Sequence, residues 1–366
     1  MAFKEQLELA TSPGPTQIPG AVVIAADRSG NIIDFQAIGV TSVDPDIAKP
    51  MTEDTTFWIA SCTKLITSIA ALQCVERGQL TLDDDVSTIL HQLKTPDILV
   101  GFDEQTGQPI LKKAQEHITL RQLLTHSSGN VIELFSAEVK KWREWAKPTY
   151  DEDEGEVDGR EGQWGVRLGE YMKRYIFGPL DMTSTGFRPS ENEKIRNNLS
   201  ATTVRTPKGG LRAGKPFLTG TPKDDLGGGG LYSSATDYIK VLISILKNDE
   251  KLLKRETVDL MFTPQLPDPK YLEAVVNDQR TGVFYRSGVD GQRWNYGLGG
   301  LLNMEDAEGV CKKGTMSWGG LPNLFWWIDP ASGTCGMYAS QLLPPGDAIS
   351  RQLAVDFRRS IVKGSY

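Results

Sequence analysis

Apolar side chains recur along the chain at two spacings, one typical of strands and one typical of helices. Apolar runs at residues 20–26 and 32–40 flank a polar turn at residues 27–31 and predict a β-hairpin. Apolar residues at helical spacing then predict a buried helix over residues 61–77, ended by Gly78. The N-terminal part of the chain therefore supplies strands before its first long helix.

The C-terminal third is again rich in strand-like runs, at residues 296–303, 323–328 and 335–341, before an amphipathic helix over residues 347–362. Helical patterns dominate the middle of the chain, over residues 119–125, 166–177 and 236–247. Strands at both ends with helices between them predict an α+β protein with one antiparallel sheet formed by both chain ends. We expect a single domain over residues 1–366, its sheet region at 1–55 and 290–366 and a mainly helical region at 56–289.

Two polar or glycine-rich segments interrupt these patterns. Residues 151–161 are acidic and punctuated by glycine, which predicts a solvated loop. Four consecutive glycines at residues 227–230 precede Ser233 and Ser234, which are plausible caps of the helix over residues 236–247. The glycine run therefore predicts a flexible approach to that helix.

Charge and composition exclude several classes of partner. The 366-residue chain carries a net charge of -7, so a nucleic acid or an anionic membrane would meet an acidic protein. Residues 1–20 lack the apolar core of a signal peptide, and the sequence contains no apolar run of about 18 residues. We expect a cytoplasmic protein that binds neither nucleic acid nor membrane.

Cysteine and histidine are too sparse for metal chemistry. The four cysteines are widely spaced, and the three histidines form no H-E-x-x-H motif. We predict reduced thiols, no metal site and no cofactor.

Ser61 and Lys64 are the residues best placed for chemistry. They are three residues apart where an apolar run enters the predicted helix, so they share one helix face. Unpaired N–H groups at a helix start favour an alkoxide and disfavour a nearby ammonium. A buried Lys64 would therefore be neutral near physiological pH and accept the Ser61 proton. Ser244 and Lys247 repeat the spacing inside a helix, where no such activation is expected.

Several segments together resemble a known family. They are I-P-G-A-V at residues 18–22, A-S-C-T-K at 60–64, A-L-Q-C-V-E-R-G at 71–78, L-L-T-H-S-S-G at 123–129, and W-G-G with P-N at 318–323. In this order they resemble serine β-lactamase-like enzymes: class C β-lactamases, penicillin-binding proteins and related esterases. Within that family the chain looks most similar to the fungal acyltransferases (transesterases) of lovastatin biosynthesis. The resemblance implies a β-lactamase/transpeptidase-like fold with Ser61 as nucleophile and Lys64 as base.

The resemblance also implies a substrate-binding strand at Trp318, Gly319 and Gly320. These residues match the place of the K-T-G motif of β-lactamases, but no lysine or threonine is present there to hold a β-lactam carboxylate. The glycines would let a substrate lie against the strand, and the N–H groups of Leu321 and Ser61 match the oxyanion hole. The alternative is an ordinary glycine-rich edge strand.

One family motif is missing. A tyrosine followed two residues later by asparagine is expected before the helix over residues 166–177, where it relays the proton between nucleophile and leaving group. The family's G-x-W approach matches residues 162–164, yet the next residues already match the following helix. Tyr150 lies nearby without the motif. The chain is therefore either a shortened version of an active enzyme or a protein whose activity is weakened or replaced.

These observations leave three functional hypotheses. The first is an acyltransferase of fungal secondary-metabolite (polyketide) biosynthesis, which moves an acyl group from a thioester donor through acyl-Ser61 to an alcohol. Its partners would be a small-molecule acceptor and a donor thioester on CoA or on the carrier-protein domain of a polyketide synthase. The second is a carboxylesterase that uses water as acceptor. The third is a non-catalytic homologue that kept the fold and lost the tyrosine.

Overall fold

The computed structural model describes residues 2–14, 17–131, 136–146, 166–216, 224–278, 282 and 292–364. Fourteen strands in these ranges are β1 Gly20–Asp27, β2 Ile32–Gly39, β3 Thr56–Trp58, β4 Asp97–Phe102, β5 Pro109–Lys113, β6 Thr203–Arg205, β7 Leu211–Ala213, β8 Tyr232–Ser234, β9 Trp294–Tyr296, β10 Leu301–Asn303, β11 Met316–Gly320, β12 Leu324–Asp329, β13 Thr334–Ala339 and β14 Leu342–Leu343. Ten α-helices in the same ranges are α1 Phe3–Thr11, α2 Thr63–Glu76, α3 Leu120–Leu124, α4 Ala137–Ala146, α5 Leu168–Met172, α6 Glu193–Asn197, α7 Ala235–Lys247, α8 Arg255–Met261, α9 Lys270–Asn277 and α10 Ala348–Lys363.

A seven-stranded antiparallel sheet in the order β2-β1-β13-β12-β11-β10-β9 is formed by both ends of the chain. Strand β1 is buried along residues 20–26, because helices cover both faces of the sheet. On one face, α1 and α10 enclose a core that includes Leu7, Trp327 and Phe357. Helix α7 packs on β1, β12 and β13. The predicted α+β fold with a sheet formed by both chain ends is confirmed.

The chain divides into two compact units, residues 1–73 with 166–366, and residues 74–165. The first contains the seven-stranded sheet. In the second, β4 and β5 form an antiparallel hairpin, and Thr119 caps α3 by accepting a hydrogen bond from the Gln122 N–H. The acidic loop predicted at residues 151–161 lies outside the described residues.

Two elements differ from the predicted pattern. The strand expected at residues 296–303 is wrong: β9 and β10 are two short antiparallel strands joined by a turn at Gly297–Gly300. The helix expected over residues 166–177 is present, but it begins at Leu168 as α5 and ends in a π-helical turn over Lys173–Phe177. Periodicity alone shows neither the reversal at the glycines nor the wider turn.

Candidate active site

Ser61 lies in a short 3₁₀ turn, Ala60–Cys62, between β3 and α2. The turn begins with Ala60 in the left-handed region at φ 45°, a conformation that costs a non-glycine residue free energy. Ala60 and Cys62 are buried, whereas Ser61 is only half-buried. The Ser61 side chain is thus partly accessible just before the helix begins.

Lys64 points its amine at the Ser61 hydroxyl. Its Nζ lies 3.0 Å from Ser61 Oγ and 2.6 Å from the carbonyl oxygen of Gly228. Burial lowers the pKa of the Lys64 amine to about 8. The neighbouring Cys62 thiol has its own pKa raised by burial, so it stays uncharged where Lys64 titrates. A neutral amine within hydrogen-bond distance of a hydroxyl is able to accept its proton near neutral pH.

The run of four glycines is held against α2 and β3. The carbonyl oxygens of Gly227, Gly228 and Gly229 each accept a hydrogen bond from a different side chain: those of Thr67, Lys64 and Trp58, respectively. The run for which a flexible approach was predicted is thus hydrogen-bonded at three successive carbonyl oxygens. The packing is close at Gly227, where an added Cβ would lie 3.0 Å from Leu168 and 3.2 Å from the Thr67 methyl. Sequence reasoning missed the contribution of this run to the site, although four consecutive glycines were the visible signal.

The strand carrying Trp318, Gly319 and Gly320 is β11, which lies between β10 and β12 inside the sheet. It is therefore not an edge strand. A Cβ at Gly320 would lie 2.5 Å from the carbonyl oxygen of Ile59, so glycine permits β11 to approach the turn that carries Ser61. Trp318 is buried, with its ring centroid 6.0 Å from that of Tyr296. Leu321, half-buried, follows directly after the strand.

Two backbone donors are available beside the candidate nucleophile. In the described part of the chain, neither the N–H of Ser61 nor that of Leu321 donates to a protein acceptor. They belong to the two segments that the contact between Gly320 and Ile59 brings together. Two free N–H groups at such a junction are suited to bind a negatively charged oxygen.

The position of the missing tyrosine is not filled by a residue that the structure describes. Within the described ranges, Ser61 and Lys64 form no hydrogen bond to a tyrosine hydroxyl. Tyr150 and residues 162–164 lie outside those ranges. Asp and Glu are equally absent from the described partners of Lys64, so the amine relies on uncharged neighbours.

The described residues contain no cluster of three His, Cys, Asp or Glu side chains that could hold a metal ion. None of the helices in these ranges is long and apolar enough to cross a bilayer. The four cysteines are free thiols.

A serine hydroxyl beside a buried amine at a helix start, with two free N–H groups nearby, defines the class of acyl-transfer enzymes with a serine nucleophile. A model of the beta-lactamase family matches residues 8–358. The chain belongs to the beta-lactamase family, and it is an acyltransferase or ester hydrolase.

Several similar proteins come from Penicillium and Aspergillus species. The chain is 34% identical to the lovastatin esterase of Penicillium rubens, covering 95% of each chain. It is also 34% identical to the monacolin J acid methylbutanoyltransferase of Aspergillus terreus, over 94% of this chain and 92% of the relative. Unliganded simvastatin synthase (LovD) from Aspergillus terreus superimposes with a TM-score of 0.91 at 30% identity, covering 99% and 97% of the two chains. The predicted resemblance is confirmed.

The comparison with lovastatin esterase also indicates missing residues. That alignment extends over 382 positions, more than the 366 residues of the whole chain, so at some positions only the relative has a residue.

Proposed function

We propose that the chain is a serine acyltransferase that carries an acyl group as an ester on Ser61, with Lys64 as general base. The observation that carries the proposal is the 3.0 Å contact between Lys64 Nζ and Ser61 Oγ, made by an amine whose pKa burial lowers to about 8. An amine titrating in this range combines a useful neutral fraction with sufficient basicity.

The first half-reaction acylates the serine. The Ser61 oxygen attacks the carbonyl carbon of a thioester while its proton moves to the neutral amine of Lys64. The N–H groups of Ser61 and Leu321 donate to the oxygen that becomes negative. The carbon–sulfur bond then breaks, the thiol leaves with the proton from Lys64, and the acyl group remains on Ser61.

The second half-reaction returns the enzyme to its starting state. An alcohol gives its proton to Lys64 and attacks the acyl-Ser61 carbonyl. The Ser61 oxygen leaves and recovers the proton, and the new ester departs. We propose a small-molecule alcohol of fungal polyketide metabolism as acceptor and a thioester on CoA or a carrier protein as donor, because the similar proteins include acyltransferases such as the monacolin J acid methylbutanoyltransferase.

Hydrolysis is the second candidate, since one of the similar proteins is a lovastatin esterase. Water would replace the alcohol in the second half-reaction, and the same residues would act. The two candidates differ in product, because a transferase forms a new ester when an alcohol is present and an esterase releases free acid only.

The test is intact-mass spectrometry after brief exposure to an activated short-chain thioester. We expect one acyl adduct on the wild-type protein and none on Ser61→Ala. Ser244→Ala is the matched control, because it removes a serine with the same spacing to a lysine and should keep the adduct. Absence of an adduct on the wild type with CoA, carrier-protein and small thioesters would refute the proposal and favour a non-catalytic homologue. Product analysis with and without an alcohol then separates the transferase from the esterase.

A further inference from the structure

The contact between the glycine run and the Ser61 segment has a regular pattern. Thr67 Oγ1 donates to Gly227 O at 2.7 Å, Lys64 Nζ donates to Gly228 O at 2.6 Å, and Trp58 Nε1 donates to Gly229 O at 2.6 Å. Three successive carbonyl oxygens are thus bound by three side chains of one short segment, residues 58–67. We refer to Gly227–Gly229 with the donors Thr67 and Trp58 as the carbonyl clamp.

The central carbonyl oxygen of the clamp, Gly228 O, restricts how the Lys64 amine is oriented. A neutral amine has two N–H donors and one lone pair, whereas a carbonyl oxygen only accepts. When Gly228 O holds one N–H of Lys64, rotation of the amine is restricted. With that N–H fixed, the lone pair is available on the side of Ser61 Oγ, 3.0 Å away.

The position of Gly228 O depends on three hydrogen bonds: the N–H of Gly229, in the same peptide group, donates to Leu226 O at 3.0 Å, and Thr67 and Trp58 bind the carbonyl oxygens on either side. Glycine has no side chain to fix its backbone, so the conformation of a glycine run is set by what its peptide groups contact. Thr67 binds the peptide between Gly227 and Gly228, and Trp58 binds the peptide between Gly229 and Gly230, so the peptide that carries Gly228 O lies between two bound peptides. A Cβ at Gly228 would meet only Lys64 Nζ, at 3.8 Å, so close packing of this residue does not hold it in place.

We propose that Thr67 and Trp58 are positioning residues of the reaction. They hold the glycine run of the carbonyl clamp in place, so that Gly228 O orients the Lys64 amine towards Ser61. This inference rests on the proposed function of Ser61 and Lys64, and it deepens it. Neither Thr67 nor Trp58 bonds to the reacting atoms, so each acts through the glycine run.

Few titratable groups near Lys64 act on its pKa. Among the described residues, the titratable group that acts on Lys64 is the Cys62 thiol, which burial keeps protonated. The phenol of Tyr238 donates to Cys62 O and is also kept protonated by burial. A hydrogen bond to Gly228 O favours the ammonium form, so loosening the clamp should lower the pKa of Lys64.

The first experiment compares two substitutions of Thr67. Thr67→Val keeps the side-chain shape and removes the hydroxyl, and Thr67→Ser keeps the hydroxyl. At saturating thioester we expect Thr67→Val to slow acylation of Ser61 about tenfold or more, with the KM for the donor unchanged, because misplacement of a base lowers the rate and not binding. Thr67→Ser should restore the rate, and Trp58→Phe should behave like Thr67→Val.

The control is a threonine in an equivalent setting. Thr236 is half-buried in the first turn of α7, and its hydroxyl donates to the backbone oxygen of Glu53 at 2.9 Å. Thr236→Val therefore removes the same kind of bond away from Lys64, together with the 2.9 Å contact of Thr236 Oγ1 with Ser234 Oγ, and the acylation rate should not change. An equal loss of rate in Thr236→Val, or in Thr67→Ser and Thr67→Val alike, would overturn the proposal.

A second experiment does not depend on enzyme activity. The apparent pKa of Lys64 is measured from the pH dependence of its labelling by trace acetic anhydride, in a Ser61→Ala background so that the serine cannot react first. Adding Thr67→Val should lower this pKa, and adding Thr236→Val should leave it unchanged. An unchanged or raised pKa with Thr67→Val would refute the clamp. Failure of the wild type to form a serine adduct would instead refute the proposed function, whatever the labelling shows.

Discussion

Three serine–lysine pairs with identical spacing occur in this chain, Ser61–Lys64, Ser244–Lys247 and Ser360–Lys363, and only the first forms a candidate site. Ser61 lies in a 3₁₀ turn in front of α2, where Lys64 Nζ approaches its hydroxyl to 3.0 Å. Ser244 lies inside α7, where its hydroxyl donates to Asp249 at 2.8 Å. Lys247 is exposed and its Nζ contacts Ser29 O at 3.4 Å.

The difference lies in the backbone and in burial, because the residue types are the same. Inside a regular helix, a serine that is three residues from a lysine meets whatever its own face packs against, and Ser244 meets a carboxylate. At the start of α2, Ser61 is partly accessible in a turn that begins with the left-handed Ala60, while burial withdraws the Lys64 amine from water. Spacing is therefore necessary for the pair and far from sufficient.

The largest effect is expected from removal of the amine. Lys64→Met should slow acylation by about 10²- to 10⁴-fold, the usual contribution of a general base. The rate is measured by intact mass against time. Lys247→Met is the matched control and should leave the rate unchanged; similar losses in both variants would remove the distinction between the pairs.

The same variant should be more stable than the wild type at pH 7. A lysine whose pKa falls to about 8 on folding, from an ordinary value of 10.5, disfavours the folded state while it is charged. We therefore expect Lys64→Met to raise the free energy of unfolding by on the order of 1–3 kcal/mol at pH 7. The gain should shrink as pH rises from 8 to 10.5, because the folded protein then no longer holds a charged amine. Urea unfolding at several pH values measures this, and a gain that grows with pH would contradict it.

The pH dependence of acylation gives the next largest effect. Since only the neutral amine accepts a proton, the rate should rise about fiftyfold between pH 6 and pH 8 and level off above pH 8. Single-turnover rates across this range measure the profile. A profile that is flat below pH 8, or that rises only near the ordinary lysine pKa of 10.5, would show that Lys64 is not the base.

A smaller effect is expected where β11 meets the turn that carries Ser61. Gly320→Ala places a methyl group against the carbonyl oxygen of Ile59, at a distance that forces the two segments apart. We expect a loss of about 2 kcal/mol in the free energy of unfolding, the usual cost of overpacking. In Gly210→Ala the new methyl meets only Thr206 Oγ1, at 3.6 Å, so the change should stay within about 0.5 kcal/mol. Equal costs would mean that the close approach is not needed.

The smallest effect is expected at Ala60. Glycine adopts the left-handed backbone without strain, so Ala60→Gly should stabilise the protein by about 0.5 kcal/mol. The control is Ala70, inside α2, where the same change should destabilise by about 1 kcal/mol because glycine weakens a helix. Thermal unfolding of both variants distinguishes these signs. Destabilisation of both would show that Ala60 is not strained.

Elements with a strong local pattern could be predicted from the sequence. The apolar spacing after Ser61 corresponds to α2, and Ser234 caps α7 by accepting a hydrogen bond from the Asp237 N–H. Strand-like runs at both chain ends predicted a sheet formed by both ends, and the structure contains that sheet. In each case, neighbouring residues carry the information, through helix periodicity, capping or alternation.

The glycine-containing parts of the site could not be predicted in the same way. Gly227–Gly229 was expected to be flexible, and the run of residues 296–303 was expected to be one strand. The structure shows a segment bound by three side chains far away in sequence and a turn between two short paired strands. A residue without a side chain carries little local information about its conformation.

The sequence by itself determined the family, the fold class, and the serine and lysine that form the candidate pair. The tertiary structure alone decided which of three equal spacings brings a hydroxyl to a largely buried amine, and that Gly320 lies against the turn before Ser61. The physical reason is that pKa values, free N–H groups and close backbone contacts depend on what packs around a residue. Those neighbours come from segments far apart in the chain, and only folding brings them together.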